Sequence, residues 1–407
     1  MYVRSLYICY FGLEEPLVYS QVLPYLRELA KGGVEPHLLT FERFRPTAAD
    51  AERSRVSLAR DGILWHWLRY HKAPSLPATL YDIAAGALFA MKLGRRERIE
   101  VLHARAHLAM AMALLARCSR PFRLVFDVRG LVADEYADAG IWRQGSLTFR
   151  VVKLLERVGL RAADEVIVLT ERLRSELVST RLKGPEHIEV IPCCIDTARF
   201  LPARSPASVA ATDPGGEIVY AGSVTGLYLL EEIVRFFQAF QTIRPEALLR
   251  VLTKAPPEQT ASRIERLGLR PEAFWVGAVP PEEIPRHLAR ACAGVSFRKA
   301  TLSQIGASPT KIPEYLAAGI PVVANSGIGD SDEVLTTDRV GVIVKEMHPA
   351  GYRNAAEQLQ ALLREPNLGT RCQESARLRF DLQAIGGARY RRVYRRLCDS
   401  TSPVSTP

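Results

Sequence analysis

The stretch "SPTKIPEYLAAGIPVVAN" at residues 308–325 reads as the end of a loop, a short helix, a glycine stop and a buried strand. Pro313 is tolerated in a first helical turn but not deeper, so the helix starts between Ser308 and Lys311. Gly319 is the expected carboxyl-terminal stop, and "PVVAN" continues as a strand. The helix carries Lys311 in its first turn, where a cation meets the positive end of the helix dipole, and Glu314 one turn on. Free amides and Lys311 together would stabilise a phosphate there, with Glu314 free to accept hydrogen bonds from a cis-diol such as a ribose. The plainer reading is that Lys311 snorkels to water and Glu314 pairs with a neighbour, at a cost of a few tenths of a kcal/mol.

The same helix-then-strand alternation extends outward along the whole chain. Short β-branched and aromatic runs are expected as strands at 3–9, 36–40, 100–103, 124–127, 165–169 and 188–191 in the first half. The second half repeats them at 218–221, 249–252, 274–276, 294–297, 321–324 and 341–344. Helical patterns separate them, as a parallel sheet covered on both faces requires. Between the halves, "PCCIDTARFLPARSPASVAATDPGG" (192–216) loses periodicity and gathers Pro, Ala, Ser and Gly, the composition of a connector. At 407 residues the chain exceeds one ordinary core. The expected fold is α/β, two doubly wound Rossmann-like domains facing across a cleft, with ligands beyond the carboxyl ends of the strands. The boundaries are set at 1–195 and 196–380, with a basic helix at 381–398 packing back toward the first domain and a disordered tail at 399–407.

Composition narrows the setting. The chain is 48% apolar and 24% charged, ordinary for a globular protein. Seven cysteines are scattered without zinc or disulfide spacing, which points to a reducing, cytoplasmic location. The amino-terminal apolar run stops at Glu14 and Glu15, too short for a signal sequence, and reads as a strand. Runs such as "LAMAMALLA" (108–116) reach about half of the ~20 residues a membrane span needs, so the chain is not expected to be integral to a membrane. A net charge of +10 suits nucleic acid, acidic lipid or a phosphorylated substrate. No zinc-finger spacing, RNP pattern or heptad array supports nucleic-acid reading, so no nucleic-acid partner is expected. The basic stretch "GGARYRRVYRRLC" (386–398) reads as a solvated helix face ahead of a patch for an anionic membrane surface. No G-x-G-x-x-G follows the first strand of either half, which disfavours a nicotinamide-dependent dehydrogenase.

The opening stretch resembles the carboxyl-half motif of the family 4 glycosyltransferases, enzymes of the two-domain GT-B architecture. Other segments resemble that family in the same order: "PLVYSQVLPYLRELAKGG" (16–33), "VLHARAH" (101–107), "FDVRGLVADE" (126–135), "ADEVIVLTERLRSEL" (163–177), "VIPCCIDTARF" (190–200), "VYAGSVTGLYLLEEIV" (219–234) and "FWVGAVPPEEIP" (274–285). The resemblance implies transfer of a sugar, with retention, from a nucleotide-sugar donor to a glycan or lipid-linked acceptor in cell-surface polysaccharide or glycoconjugate synthesis. It implies no cofactor, the nucleotide sugar being a co-substrate, and peripheral attachment at the inner membrane face.

The family places two glutamates with seven residues between them. Glu314 matches the second, near the ribose, whereas the first falls at Gly306 and has no carboxylate. Most members carry an Arg and a Lys on the pyrophosphate, where this chain has Ser223 and Tyr228. Lys311, with Arg298 or Lys299 just after "AGVSF", is the expected replacement. Gly222 would permit close backbone approach to the donor, and Ser223 a hydrogen bond to a phosphate oxygen, or a cap. The expected donor-binding set is therefore Gly222, Ser223, Tyr228, Arg298, Lys299, Ser308, Lys311 and Glu314.

The amino-terminal half, which the resemblance assigns to the acceptor, offers polar residues at strand ends that either pair with each other or face a ligand. His103, Arg105, Asp127 and Arg129 are the catalytic candidates, with Ser20 and His107 on the acceptor side. No metal site is expected: His103 and His107 lack a third ligand, and the Asp330-Ser331-Asp332 run reads as charge at a helix start. The resemblance further implies that the leaving diphosphate helps deprotonate the acceptor on the same face of the sugar. Two alternatives stand beside this reading, a nucleotide-sugar epimerase of the same architecture and a non-catalytic nucleotide-binding scaffold.

Overall fold

The structure is a computed structural model and describes residues 2–200 and 216–399. Most of the expected connector and the expected tail beyond Asp399 lie outside the described residues. The chain divides into two compact units, residues 1–192 with 385–407, and residues 193–384. The divisions sit a few residues from those expected, because Ile195 belongs with the second unit. Its N–H donates to the Phe380 carbonyl and its carbonyl accepts from Leu382, 2.9 Å each, which ties both ends of that unit together.

The first unit is built on β1 (Val3–Cys9), β2 (Val34–Glu42), β3 (Leu64–Arg69), β4 (Val101–Arg105), β5 (Arg123–Asp127), β6 (Glu165–Val168) and β7 (Ile188–Val190). They form one sheet in the order β3-β2-β1-β4-β5-β6-β7, every pairing parallel. The second unit has β8 (Glu217–Ala221), β9 (Leu248–Leu252), β10 (Phe274–Gly277), β11 (Ala293–Ser296), β12 (Val322–Asn325) and β13 (Gly341–Val344). Its order, β10-β9-β8-β11-β12-β13, is also all parallel. Each sheet runs outward in one direction from its first strand and then in the other. The winding reverses between β1 and β4 and between β8 and β11, where a doubly wound sheet opens a crevice for ligands. The central strands are apolar on both faces because helices cover both: Ile218, Val219 and Tyr220 of β8 are all fully buried.

Three sequence expectations change. An edge strand, β3, lies at "LWHWLR" (64–69), where burial is partial and three consecutive large rings mask the period of two. The helix Ser75–Arg96 has 22 residues and is long and apolar enough to cross a membrane by length and composition, with a third of its apolar window buried; the chain's apolar runs are therefore not all half-length. In the fold it links β3 to β4, and its glycines admit neighbours: a Cβ on Gly86 would lie 2.5 Å from the Met112 sulfur.

The carboxyl-terminal basic stretch is neither a solvated face nor a free basic patch. In the helix Ala388–Asp399, Tyr390, Val393, Tyr394 and Leu397 are buried. Arg396 pairs with Glu165 and Glu189, Arg392 with Glu189, and Arg391 with Glu28. Arg389 donates to the Val190 carbonyl at 2.6 Å. These four arginines fasten the last helix to the rest of the first unit; Arg392 among them, and Arg395 beside them, are exposed.

Candidate functional site

At the winding reversal of the second unit, β8 ends at Ala221 and the chain turns through Gly222 and Ser223. Tyr228, further along the turn, makes an antiparallel bridge with Arg298, just beyond β11, and the Lys299 N–H donates to Leu227 at 2.8 Å. The helix Lys311–Ala317 begins beside this point. It is anchored by Tyr315, whose hydroxyl accepts from the Ala221 N–H at 2.8 Å. The Tyr315 ring lies over Gly294, where a Cβ would stand 2.2 Å from a ring carbon, so a bare backbone is required.

Lys311 does not snorkel: the residue is 6% exposed. Its Nζ stands 4.4 Å from the Tyr220 ring centroid and 4.2 Å from that of Tyr228, and 3.4 Å from the Tyr220 hydroxyl. No salt bridge reaches it among the described residues. Burial, reinforced by the Arg298 charge and only partly opposed by Glu314, pushes the Lys311 ammonium down to about 7. Gly222 has φ +144°, and a Cβ there would lie 2.9 Å from Nζ, so glycine lets the ammonium sit directly against the turn.

The Arg298 guanidinium carbon lies 5.1 Å from the Tyr228 ring centroid. Its backbone N–H donates to Asn325 Oδ1 at 2.8 Å, and its Nε is buried without a hydrogen-bond partner among the described residues. Glu314 is half-buried; burial pushes its carboxyl up to about 7 against the pull of Arg199 and Lys311. The site thus gathers two cations, two phenol rings, one titratable carboxyl and an exposed glycine turn at the carboxyl ends of two central strands.

The remaining donor candidates are less central. Ser223 is exposed, its carbonyl takes the Tyr220 hydroxyl, and its Oγ lies 3.2 Å from Thr225 Oγ1. Lys299 is exposed. The Ser308 hydroxyl accepts from the Cys193 N–H at 3.1 Å, so it holds backbone rather than standing free. Asp330 occupies the N-cap position of the helix Ser331–Thr337, and Asp332 accepts from the Gly327 N–H. Among the described residues no group of three or more His, Cys, Asp or Glu converges on one point. Tyr220, Tyr315, Asn325 and Arg199 were not anticipated. A tyrosine at the end of a central strand, followed at once by glycine, is the signal that was available for Tyr220.

At the winding reversal of the first unit, Asp127 gathers most of the expected catalytic set. Its Oδ2 lies 3.5 Å from Arg105 and accepts from Tyr390 at 3.1 Å and Tyr7 at 3.3 Å. Its Oδ1 accepts from Arg129 at 3.4 Å. Burial raises the Asp127 pKa, but Arg129, His103 and Arg105 outweigh it and hold the carboxyl below the usual range. His103 is fully buried, with its Nδ1 3.1 Å from the Tyr394 hydroxyl and its ring centroid 4.4 Å from that of Tyr7; burial lowers its pKa.

His103 and Asp127 have no solvent-exposed surface, so neither meets a substrate as placed. Asp127 is instead in contact with Arg105 and Arg129. Arg105 also donates to the Gln21 carbonyl, and Arg129, the more accessible of the two, to the Gln21 side chain. His107 leaves this cluster altogether: it lies on the next helix and pairs with Glu156 at 3.0 Å, both buried. Ser20 is exposed, and its hydroxyl donates to the Pro16 carbonyl at 2.8 Å.

Both halves of the chain match glycosyltransferase family models. The family model for Glycosyltransferase Family 4 matches residues 21–199, and that for Glycosyl transferases group 1 matches residues 216–379. No curated protein matches the sequence. Among solved structures, a glycosyltransferase from Rickettsia africae superposes with a TM-score of 0.72 at 13% identity, covering 98% of this chain and 100% of that one. Sucrose-phosphate synthase from Thermosynechococcus elongatus gives 0.70 at 16% identity, with 98% and 100% covered. The Anabaena protein HepE, in complex with UDP and glucose, gives 0.67 at 14% identity, with 99% and 100% covered. With its two parallel-sheet, Rossmann-like units and one family match on each half, the chain belongs to the glycosyltransferases of the GT-B architecture.

Proposed function

We propose that the chain transfers a sugar, with retention, from a nucleotide diphosphate sugar to a glycan or lipid-linked acceptor. In this reading the second unit binds the donor and the first supplies the acceptor side, in the cytoplasm. The observation that carries it is Lys311, a buried ammonium with no carboxylate in contact among the described residues, held by tyrosine faces beside the Gly222 turn. An uncompensated cation at that depth is unfavourable until an anion arrives, and a pyrophosphate supplies one. Lys311 and Arg298 would take the two phosphates, and Glu314 the ribose diol. HepE, whose structure holds UDP and glucose, lends support for a nucleotide-linked donor.

As the donor bond breaks, negative charge accumulates on the departing diphosphate. Two cations already in place stabilise that charge without reorganisation, which is the largest lever a site of this kind has. Neither of the missing family features, the carboxylate at 306 and the basic pair near 223, is needed for this part of the chemistry. The step uses no metal ion in this reading, the cations being Lys311 and Arg298.

The test is incubation with a panel of nucleotide sugars and candidate acceptors, with mass spectrometry and anomeric NMR of the products. The expected result is an acceptor-dependent glycoside of retained configuration, lost in Lys311→Met. Conversion of the donor to an epimer without acceptor would replace this reading by an epimerase. Nucleotide binding with no turnover of any donor would replace it by a scaffold.

A further inference from the structure

At the amino-terminal ends of β5, β6 and β7 the first unit has a cavity of about 650 Å³, a volume in the range of small-molecule sites. It is remote from the winding reversal. Arg123, on its wall, begins β5, and Asp127 ends that strand about 13 Å away at ~3.3 Å per residue. None of the residues placed above at either winding reversal lines it.

Segments far apart in the chain close around the cavity. The helices Ala106–Arg117 and Leu147–Ala162 end there and bring Arg117 and Arg161. Lys183 comes from the turn ahead of β7, and Leu397 from the last helix. Backbone carbonyls orient three of the cations: Arg117 donates to Ala162 at 2.6 Å, Lys183 to Ala163, and Arg123 to Leu397. These carbonyls lie at helix carboxyl ends, where cations are ordinarily stabilised. A carbonyl orients a cation without neutralising it, and further N–H donors remain, since a guanidinium has five and an ammonium three.

Charge shows what is missing. Of the carboxylates on the wall, Glu165 is taken by Arg396 at 2.5 Å. Asp164 lies 3.6 Å from Arg117 and accepts from the Leu124 N–H at 2.7 Å. His187 stands 3.5 Å from Glu165 and 3.6 Å from Glu186. Arg123, Arg161 and Lys183 therefore line one cavity with no carboxylate in contact among the described residues. Lys183 is half-buried, and burial lowers its pKa against the opposing pull of Asp164, Glu165 and Glu186. Like charges around a concavity repel one another until an anion enters, and the concavity focuses their field.

We propose that this cavity is a second anion site, separate from the donor site, for a soluble phosphorylated small molecule carrying two or more negative charges. Arginine forks match phosphate oxygens in pairs, and Lys183 adds a point charge. Ala162, Ala163 and Leu397 supply the apolar wall for an organic body. Occupancy would join the end of the Leu147–Ala162 helix, the start of β5 and the last helix, and should raise the melting temperature by mass action.

The proposal does not depend on the donor reading, and the experiment removes the donor lysine to keep the two apart. Inorganic pyrophosphate is titrated calorimetrically into the full chain carrying Lys311→Met, with chloride at matched ionic strength as the reference. Binding of one equivalent is expected, with a higher melting temperature. Arg161→Gln in the same chain should weaken it roughly tenfold, the loss of one charged contact. Arg161 is exposed and makes no ion pair among the described residues, so its replacement leaves the fold intact. Arg60→Gln, at an exposed arginine outside the cavity, should change nothing. Acetic anhydride labelling with peptide mass spectrometry reads the site directly: saturating pyrophosphate should slow acetylation of Lys183 several-fold and leave the exposed Lys72 unaffected. The proposal is overturned by absence of pyrophosphate binding, by affinity that falls equally with Arg60→Gln, by Arg161→Gln affinity within threefold of its parent, or by Lys183 labelling indifferent to pyrophosphate.

Discussion

Lys311 and Glu314 are both held near pH 7 in the empty site, one down from the ordinary lysine range and the other up from the carboxylate range. Binding a nucleotide sugar should therefore move protons, and the direction should reverse with pH. At pH 8 the free site has lost about nine in ten of its Lys311 protons, and a bound pyrophosphate restores them by opposing the burial cost, giving an uptake of about 0.9 proton. Glu314 is already mostly ionised there and contributes about 0.1 in the other direction. At pH 6 the roles exchange: Lys311 is already charged, whereas Glu314 must lose about 0.9 proton to accept the ribose hydroxyls as a carboxylate. Near pH 7 the two cancel.

Affinity follows the same linkage, rising with pH below 7 through Glu314 and falling above 7 through Lys311, with slopes approaching tenfold per pH unit. Isothermal calorimetry in buffers of different ionisation enthalpy reads the proton count directly. A nucleotide sugar is the right probe, since its pyrophosphate diester has no group titrating in this range. Lys311→Met should abolish the uptake at pH 8 and keep the release at pH 6; Glu314→Gln should do the reverse. Uptake at pH 8 that persists in Lys311→Met, or binding independent of buffer throughout, would refute the reasoning.

Lys311→Met should also raise the stability of the unliganded chain by about 1–4 kcal/mol while weakening nucleotide binding, because a buried charge gives way to an apolar side chain; thermal melts with and without nucleotide separate the two effects. Gly222→Ala forces a Cβ at φ +144° to within 2.9 Å of the lysine nitrogen, and calorimetry should show reduced nucleotide affinity with the sheet intact by circular dichroism. Asp127→Asn should cost about 3–5 kcal/mol in urea unfolding, since it leaves Arg105 and Arg129 partly uncompensated beside buried tyrosines. The Asp127 carboxyl has a lowered pKa when folded, so its contribution is present above the ordinary aspartate range and is lost as pH falls below it; the variant should flatten that acid limb. Arg396→Ala removes pairs to Glu165 and Glu189 and should destabilise the first unit by about 1–3 kcal/mol, read by the same unfolding curves.

The parts of the fold legible from the chain were those set by local pattern. β8 and β12 are short, buried, mainly apolar runs bounded by glycine, proline or asparagine, and such runs admit little besides a buried parallel strand. β3 escaped because an edge strand with Leu64 exposed and Trp65 buried has no such uniformity. Pro313 alone confined the helix start to residues 308–311, and the helix begins at Lys311, the last of them. What the chain could not disclose was any contact made at long range. Asp127 and His103 look like strand-end chemistry until Tyr390 and Tyr394, more than 250 positions away, close over them. The arginines of the last helix look solvated until Glu28, Glu165 and Glu189 are brought beneath them. Arg199 faces Glu314 only because the short turn Thr197–Arg199 is fastened by the Thr197–Asp381 hydrogen bond at the far end of the second unit.

The partner chosen for Lys311 bears on how such a site works. A carboxylate in contact would keep the ammonium charged and would cancel much of its field before any ligand arrived. Tyrosine rings do neither: their faces attract an ammonium through the ring quadrupole, yet they carry no net charge and leave the desolvation cost largely unpaid. The lysine is consequently poised between its two protonation states in the empty protein, and a diphosphate decides which one prevails. Positive charge is then present when the leaving group requires it and is reduced when the pocket is empty, where an uncompensated buried cation would cost the fold stability. Tyr220 and Tyr228 are thus the residues on which this coupling rests. Replacing Tyr228 by Asp should make the ammonium permanent, remove the proton uptake at pH 8, and lower rather than raise affinity for the donor, because the new carboxylate competes with the phosphate for the same nitrogen.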